Sequence, residues 1–202
     1  MTLIDLYNRA IARLGGEQLP LGVTPIEGDI TGQLCANLFP GVLDLALSRH
    51  EWSFALKRML LTKAGAADAV TGFAVRYAPL PTDMVRTVSL GRRLNEGPEY
   101  ALEGDSLLTD LEGATLLYVS RVSDPEKWPA DFADALAWGL AGELATARVN
   151  DPGKMQFCGN MFIETLSRAA AADVKKNGPK HPQGTWGTSR FANRASFSAI
   201  RR

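Results

Sequence analysis

The spacing of apolar residues along the chain changes twice, from a helical period to an alternating one and back again. In the first segment, one stripe of a helix is formed by Leu3, Leu6, Tyr7, Ala10, Ile11 and Leu14. Thr2 followed by Asp5 has the spacing of a capping box, and Gly15-Gly16 supplies a left-handed stop. The pattern therefore predicts a helix over Leu3–Leu14.

A second helical pattern follows a loop that contains Pro20, Gly22 and Pro25. It ends near His50, and its apolar positions are Ile30, Leu34, Leu38, Val42, Leu45 and Ala46. Pro40 lies inside this pattern, lacks a backbone N–H and clashes with the preceding turn. We therefore expect the helix to kink or split at Pro40.

Between Phe54 and Val122 the pattern alternates as in β-strands, with Phe73, Val75 and Tyr77 on one face. Further strand candidates are residues 55–62, 84–90, 99–103, 106–108 and 115–121. The residues that separate them are typical of turns: Gly65, Pro81, Gly91, Gly97-Pro98, Gly104-Asp105 and Gly113. Such short connections predict an antiparallel meander built from hairpins.

Two further helices are predicted after the strands. Asp124 caps and Pro125 opens the third helix, in which apolar residues recur every fourth position: Phe132, Leu136, Leu140 and Leu144. Asp151-Pro152 repeats this start, and the fourth helix is lined by Met155, Phe162, Leu166 and Ala169. The whole order predicts an α+β fold: a four-helix bundle of residues 1–52 and 124–175, an inserted antiparallel β-meander of residues 53–123, and an extended basic C-terminal tail of residues 176–202.

Composition is consistent with a folded body and a separate tail. A chain of 202 residues with 46% hydrophobic content can bury one sizeable core. No continuous apolar run approaches the roughly 20 residues that span a bilayer, and no signal-peptide pattern opens the chain, so we expect a soluble, unexported protein without a membrane contact.

Charge is distributed unevenly along the chain. The formal net charge is zero, yet the seven charged residues after Asp173 are all basic, which leaves 15 basic and 22 acidic residues in 1–173. The body is thus acidic, with a net charge of −7, and the tail carries +7. Trp186, Phe191 and Phe197 interleave with these basic residues, so we expect the tail to order against a partner, with a solvated tail as the alternative.

The sequence offers no complete catalytic or metal-binding set. Gly104-Asp105-Ser106-Leu107 matches the nucleophile block of a lipase and esterase family, but the only histidine downstream is His181, in the tail and outside the block that supplies the base. We interpret Gly104-Asp105 as a hairpin turn instead. His50-Glu51 lacks a second histidine four residues on, and Cys35 and Cys158 lack partners at metal-ligand spacing. We therefore expect no enzyme activity, no cofactor and no metal.

Four short sequence words occur in a fixed order between the second and third predicted helices. They are His50-Glu51-Trp52-Ser53-Phe54-Ala55, Tyr77-Ala78-Pro79-Leu80-Pro81-Thr82-Asp83, Tyr100-Ala101-Leu102-Glu103-Gly104-Asp105-Ser106-Leu107-Leu108-Thr109-Asp110, and Tyr118-Val119-Ser120-Arg121-Val122-Ser123-Asp124-Pro125. Together with the segment from Leu136 to Ala147, this order resembles the tail tubular protein A family, the head-to-tail adaptors of short-tailed bacteriophages. The resemblance covers roughly residues 40–150.

This resemblance implies a structural protein of the virion tail that is made in the host cytoplasm. Copies would form a homo-oligomeric ring, a dodecamer, between the portal protein and the tail nozzle protein. Double-stranded DNA would pass through the ring without sequence-specific binding, and an acidic wall would limit its adhesion.

Two sets of residues are candidates for the contacts of such a ring. The candidates for docking on the portal are Lys175, Lys176, Trp186, Arg190, Phe191, Arg194, Phe197, Ile200, Arg201 and Arg202. The candidates for packing between subunits are the small residues Ala137, Gly139, Ala141 and Gly142, although close packing inside one chain explains them equally well. Trp52, Phe54 and Tyr77 are expected in the core.

Two other functions remain open. A nucleic-acid-binding protein could use the basic tail, because arginine with interleaved aromatics suits phosphate pairing and base stacking. An esterase would require Ser106 as its nucleophile.

Overall fold

The computed structural model describes residues 1–17, 19–20, 29–91 and 99–177. Its helices are α1 (Leu3–Leu14), α2 (Ile30–Ser48), α3 (Ala130–Leu144) and α4 (Pro152–Asn177). Its strands are β1 (Leu56–Leu60), β2 (Lys63–Ala66), β3 (Val75–Tyr77), β4 (Met84–Leu90), β5 (Tyr100–Glu103), β6 (Ser106–Thr109) and β7 (Thr115–Ser120). The described chain is thus mixed α and β, with two antiparallel sheets.

Helix α1 has the predicted bounds because both of its ends are encoded locally. The Thr2 hydroxyl accepts the Asp5 backbone N–H at 3.2 Å, and the Asp5 carboxylate accepts the Thr2 backbone N–H at 2.7 Å. At the other end, Gly15 has a φ of 76°, which glycine adopts without the steric cost of a side chain. These contacts confirm the predicted capping box and stop.

Helix α2 does not split at Pro40, so that part of the prediction is wrong. A single helix runs through the proline because residues on both sides of it enter the same core: Cys35 and Phe39 before it, and Val42, Leu43, Ala46 and Leu47 after it. Tertiary packing of this kind can offset the roughly 3 kcal/mol that a helix-interior proline costs.

Helix α2 also corrects the expectation that no segment is long and apolar enough to cross a bilayer. Its 19 residues have a mean hydropathy of 1.3, and by length and composition alone they meet the requirement. Polar residues such as Asn37 and Asp44 interrupt the run, which is why a search for continuous apolar residues misses it. Its buried residues belong to the protein core, as in the core helix of a globular domain.

The third helix begins five residues later than predicted. Asp124 and Pro125 open only a 3-10 turn, Pro125–Lys127, and α3 starts at Ala130 after Pro129. A residue that precedes proline is driven out of the helical region, and Trp128 accordingly has a ψ of 133°. The Asp151-Pro152 start of α4 is confirmed, since Asp151 accepts the backbone N–H groups of Gly153 and Lys154 at 2.9 and 3.1 Å.

Helix α3 is the centre of the helical layer and packs against α1, α2 and α4. The four apolar residues predicted to line it, Phe132, Leu136, Leu140 and Leu144, are all buried. Arg13 of α1 forms an ion pair with Asp134 of α3, and its guanidinium lies 3.9 Å from the centre of the Trp138 ring. Met155, which was predicted to line α4, lies in its first turn and is 42% exposed.

The strands form two sheets and not a single meander. One sheet has the order β1-β7-β4 and the other the order β2-β3-β6-β5, so only the pairs β2-β3 and β5-β6 join consecutive strands. Strand β2 was not predicted, because Gly65 was interpreted as a separator. Gly65 lies within β2 at a register irregularity, with a φ of 153° that favours glycine.

The β1-β7-β4 sheet separates two apolar cores. Strand β7 directs Val119 into the large core shared with the helices, and Leu116 and Tyr118 into a smaller core shared with the second sheet. The predicted core residues Trp52 and Tyr77 are each 1% exposed, and Phe54 packs against the large core. The layers therefore run from the helices through the central sheet to the second sheet.

Candidate interaction surfaces

The segment that joins α2 to β1 is fastened to the last turns of α4. Trp52 is buried and donates its indole N–H to the Ala46 carbonyl at 2.9 Å. Ser53 donates its backbone N–H to the Asp173 carboxylate at 3.1 Å, and its hydroxyl donates to the same carboxylate. Asp173 is only 5% exposed, so one inward-facing acid of α4 locks the joint between the helices and the sheets.

A cavity of about 340 Å³ lies between this joint and α4. His50, one of its lining residues, has its Nε2 3.3 Å from the Asp173 carboxylate but outside hydrogen-bond geometry, and that buried nitrogen has no hydrogen bond within the described residues. Apolar side chains dominate the wall. The lining residues are Arg49, His50, Trp52, Phe162, Ile163, Leu166, Ser167 and Ala170.

The solvent-facing side of α4 carries a long stripe without charge. At 100° per residue, six exposed residues from Gln156 onward fall within one 80° arc of the helix, and we call them the α4 outer face: Gln156, Asn160, Ile163, Ser167, Ala171 and Val174. Ile163 is 65% and Val174 50% exposed. The Ser167 hydroxyl donates to the Ile163 carbonyl at 2.8 Å, which leaves this serine less polar toward solvent.

The small residues of α3, our candidates for packing between subunits, pack inside the chain. Ala137 and Ala141 are fully buried in the large core. A Cβ added to Gly139 would lie 2.7 Å from Val42 Cγ1, and one added to Gly142 would lie 3.7 Å from Cys158 Cβ. The structure therefore uses these residues for the close approach of α2 and α4 to α3, the alternative that the sequence left open.

The candidates for docking on the portal are divided by the end of α4. Lys175 and Lys176 are exposed in its last turn, where positive charge is favoured by the helix dipole. The other candidates lie outside the described residues: Trp186, Arg190, Phe191, Arg194, Phe197, Ile200, Arg201 and Arg202. The two lysines therefore lie at the C-terminal end of the described residues.

Ser106 lies in a hairpin, as the turn interpretation predicts. Glu103 pairs with Ser106 across the turn, and Gly104 has a φ of 61°. The Ser106 hydroxyl accepts a hydrogen bond from Arg76 Nε at 3.0 Å and donates to Asp105 at 3.1 Å. The contact with Arg76 joins β3 to β6 beside the hairpin turn.

The two thiols and the acidic side chains form no metal-binding group in the part of the chain that the structure describes. No group of three or more His, Cys, Asp or Glu residues with metal-binding geometry occurs there. Cys35 and Cys158 are buried and free, as predicted. Burial raises the pKa of Cys35 to about 11 and also raises the pKa of Cys158, so both remain thiols at neutral pH.

Sequence reasoning missed the α4 outer face and the cavity beside it. The α4 outer face has a signal in the sequence, because positions 156, 160, 163, 167, 171 and 174 share one helical face and contain no charged residue. The cavity has no such signal, since His50 and Ala170 come together only through the fold.

These surfaces are suited to docking: an apolar cavity, an uncharged helix face and a basic exit for the tail. A scan against protein-family models found no match for the chain, and a search of curated proteins found none either. Function must therefore be argued from the residues and surfaces of this chain.

Proposed function

We propose that the protein is a head-to-tail adaptor, a structural protein of the virion that forms a ring between the portal and the tail nozzle. The ring, taken as a dodecamer, extends the DNA channel for genome retention and ejection. Helices α1 to α4 act in it as one four-helix bundle that carries the two sheets. The protein is made in the host cytoplasm, takes no cofactor and has no catalytic role.

The observation that carries the proposal is the fixed order of the sequence words that resemble tail tubular protein A. Each word supplies contacts at the junctions of the fold. The first contains Trp52 and Ser53, which fasten the joint to α4. Asp83 of the second accepts Lys57 Nζ at 2.6 Å and the hydroxyl of Tyr118, from the fourth word, at 3.2 Å.

The third and last of these segments supply local contacts. Gly104-Asp105 turns the β5-β6 hairpin, and Asp124 accepts the Glu126 backbone N–H at 3.1 Å. Residues of these kinds set the turns, caps and joints of the subunit. Their occurrence in the order of the resemblance therefore supports a common framework, and with it a common mechanical role.

Charge distribution supports the same role. The body carries −7 over residues 1–173, and a wall of like charge lowers the residence of DNA phosphate in a channel. Residues 174–202 together bring a charge of +7, five of these charges after Lys176, and apolar anchors to a partner. In this proposal the portal is that partner.

The test is to mix the purified protein with the portal ring encoded in the same genome and to image the product by electron microscopy. We expect an added ring of density on the portal. A portal that remains bare at saturating protein would contradict the adaptor proposal.

A second candidate is a nucleic-acid-binding protein that uses the basic tail, favoured by the exposed Lys175 and Lys176 where the tail begins. Two matched variants separate the candidates. One replaces Phe191, Phe197 and Ile200 by serine and keeps every charge; the other replaces Arg190, Arg194, Arg201 and Arg202 by glutamine and keeps every apolar anchor.

Loss of portal binding in the serine variant, with unchanged salt-dependent retention on DNA, supports the adaptor. Loss of DNA retention in the glutamine variant, with no portal binding by the parent, supports the nucleic-acid-binding protein. Ester hydrolysis that survives Ser106→Ala would remove the esterase alternative.

A further inference from the structure

The cavity between the α2–β1 joint and α4 has the properties of a site that receives an apolar side chain. Trp52, Phe162 and Leu166 supply an aromatic and aliphatic wall, and the exposed Ile163 stands at its edge. Its volume of about 340 Å³ is enough for an indole ring. An occupant would bury apolar surface that is otherwise in contact with water.

The apolar wall, and not a polar atom, selects the occupant of this cavity. His50 Nε2 is buried and lies 3.3 Å from the Asp173 carboxylate, so that carboxylate and not an occupant is its nearest partner. The wall suits the large, flat side chain of a tryptophan.

The C-terminal segment of the same chain supplies such a tryptophan within reach. From Ala170 to the end of α4 at Asn177 is about 10 Å along the helix, and from Phe162 about 22 Å. The nine residues from Asn177 to Trp186 can span up to about 30 Å. Gly178-Pro179 directly after α4 cannot continue the helix, which favours a change of direction there.

Charge selects Trp186 over the other aromatics of the tail. Residues 182–189 contain no charged side chain, whereas Phe191 directly follows Arg190 and the later aromatic lies among further arginines. The cavity is lined at one edge by Arg49, which would repel those arginines, and the α4 outer face beside it is uncharged. A neutral segment is the better match for a neutral surface.

We propose that Trp186 docks in this cavity within its own chain, so that residues 182–189 lie along α4 as an intramolecular latch. A short tether gives an effective concentration of roughly millimolar, so even a weak contact forms in the free protein. The latch is independent of the adaptor proposal. If both hold, a partner must compete for the segment that the latch retains.

The test is fluorine NMR of the full-length protein labelled with fluorotryptophan, which gives one resonance for each of four tryptophans. Trp186→Phe identifies the Trp186 signal. We expect that signal to be displaced from the position it takes in concentrated urea. Ile163→Glu and Ser167→Glu, both at exposed sites, should each return it to the urea position.

Val70→Glu is the matched control, because Val70 is 99% exposed in the turn between β2 and β3 and should leave the Trp186 signal unchanged. Unchanged resonances of Trp128 and Trp138, which do not line the cavity, show that each variant remains folded. A Trp186 signal at the urea position in the parent protein would overturn the latch. So would a displaced signal that ignores both α4 substitutions.

Dilution separates this latch from an exchange between copies. An intramolecular latch keeps the Trp186 signal at the same position at every protein concentration. A signal that moves toward the urea position on dilution would overturn the proposal in favour of the tail of a second copy.

Discussion

Helix α3 carries a face of small residues and helix α4 a face of uncharged residues, and the two faces lie in opposite environments. On α3, Ala137 and Ala141 are fully buried, and Gly139 lies so close to its neighbours that a Cβ would approach Val42 Cγ1 to 2.7 Å. On α4, the outer face is open to solvent, with Ile163 65% exposed. Small residues permit a close approach, but they do not identify the partner that approaches.

The difference follows from position in the layer. Helix α3 is surrounded by α1, α2 and α4, so its small residues are covered by other helices of the same chain. Helix α4 packs on one side only, through Cys158, Phe162, Leu166 and Ala169. A contact between copies therefore has more available surface on α4 than on the α3 residues that sequence analysis selected.

The largest expected effect tests whether the α3 face is core. Leu140→Ala removes a fully buried side chain and should lower the free energy of unfolding by about 2–5 kcal/mol. Val174→Ala on the half-exposed α4 outer face should change it by less than about 0.5 kcal/mol. Urea denaturation followed by circular dichroism measures both, and equal losses would contradict the comparison.

The inward side of α4 is tested by Asp173→Asn. This change weakens the two hydrogen bonds from Ser53 and should lower the free energy of unfolding by about 1–3 kcal/mol. Glu164→Gln, at an exposed site on the same helix, is the matched control and should have little effect. Hydrogen exchange should locate the loss at the joint around Trp52 and Ser53, and a uniform change over the protein would count against it.

Glycine-to-alanine changes compare the packing of the two helices. Gly159→Ala on α4 places a Cβ with nothing within 4 Å and should stabilise the helix by about 0.4–1 kcal/mol. Gly139→Ala on α3 forces Val42 and Phe162 to move, and overpacking of this kind costs about 1–3 kcal/mol. Thermal melts should place the Gly159 variant above the parent and the Gly139 variant below the Gly159 variant.

The smallest effect concerns the sheets, which are held partly by polar contacts at their edges. Hydrogen bonds from Lys57 and then Tyr118 lower the pKa of Asp83 below its ordinary value of 3.8. The carboxylate therefore stabilises the fold above about pH 4, and that contribution is lost as the pH falls through the lowered pKa.

Asp83→Asn should cost at most about 1 kcal/mol at pH 7, because the Lys57–Asp83 pair is largely exposed to solvent. The difference between variant and parent should narrow as the pH drops below 4. Urea titrations at several pH values check this, and a difference that widens in acid would reverse the sign of the argument.

Local signals in the sequence predicted the elements that depend on them. Thr2, Asp5 and Gly15 set both ends of α1, and the bounds of β4 were also predicted as observed. The late start of α3 also has a local cause. Pro129 keeps Trp128 out of the helical region, and this effect outweighs the helix-start signal of Asp124-Pro125. The partition into two sheets had no such cause, because β7 pairs with β1 and β4 from distant parts of the chain.

The sequence by itself determined the order of the helices and of every described strand except β2, the acidic body, the basic tail and the small residues of α3 as a close-packing surface. Only the tertiary structure decided that this surface faces α2 and α4, that the α4 outer face remains open, and that His50 meets Asp173 beside a cavity. The physical reason is the distance along the chain over which each kind of interaction acts. Caps, turns and periodicity act within a few residues, whereas the burial of a face depends on which distant segment comes to cover it.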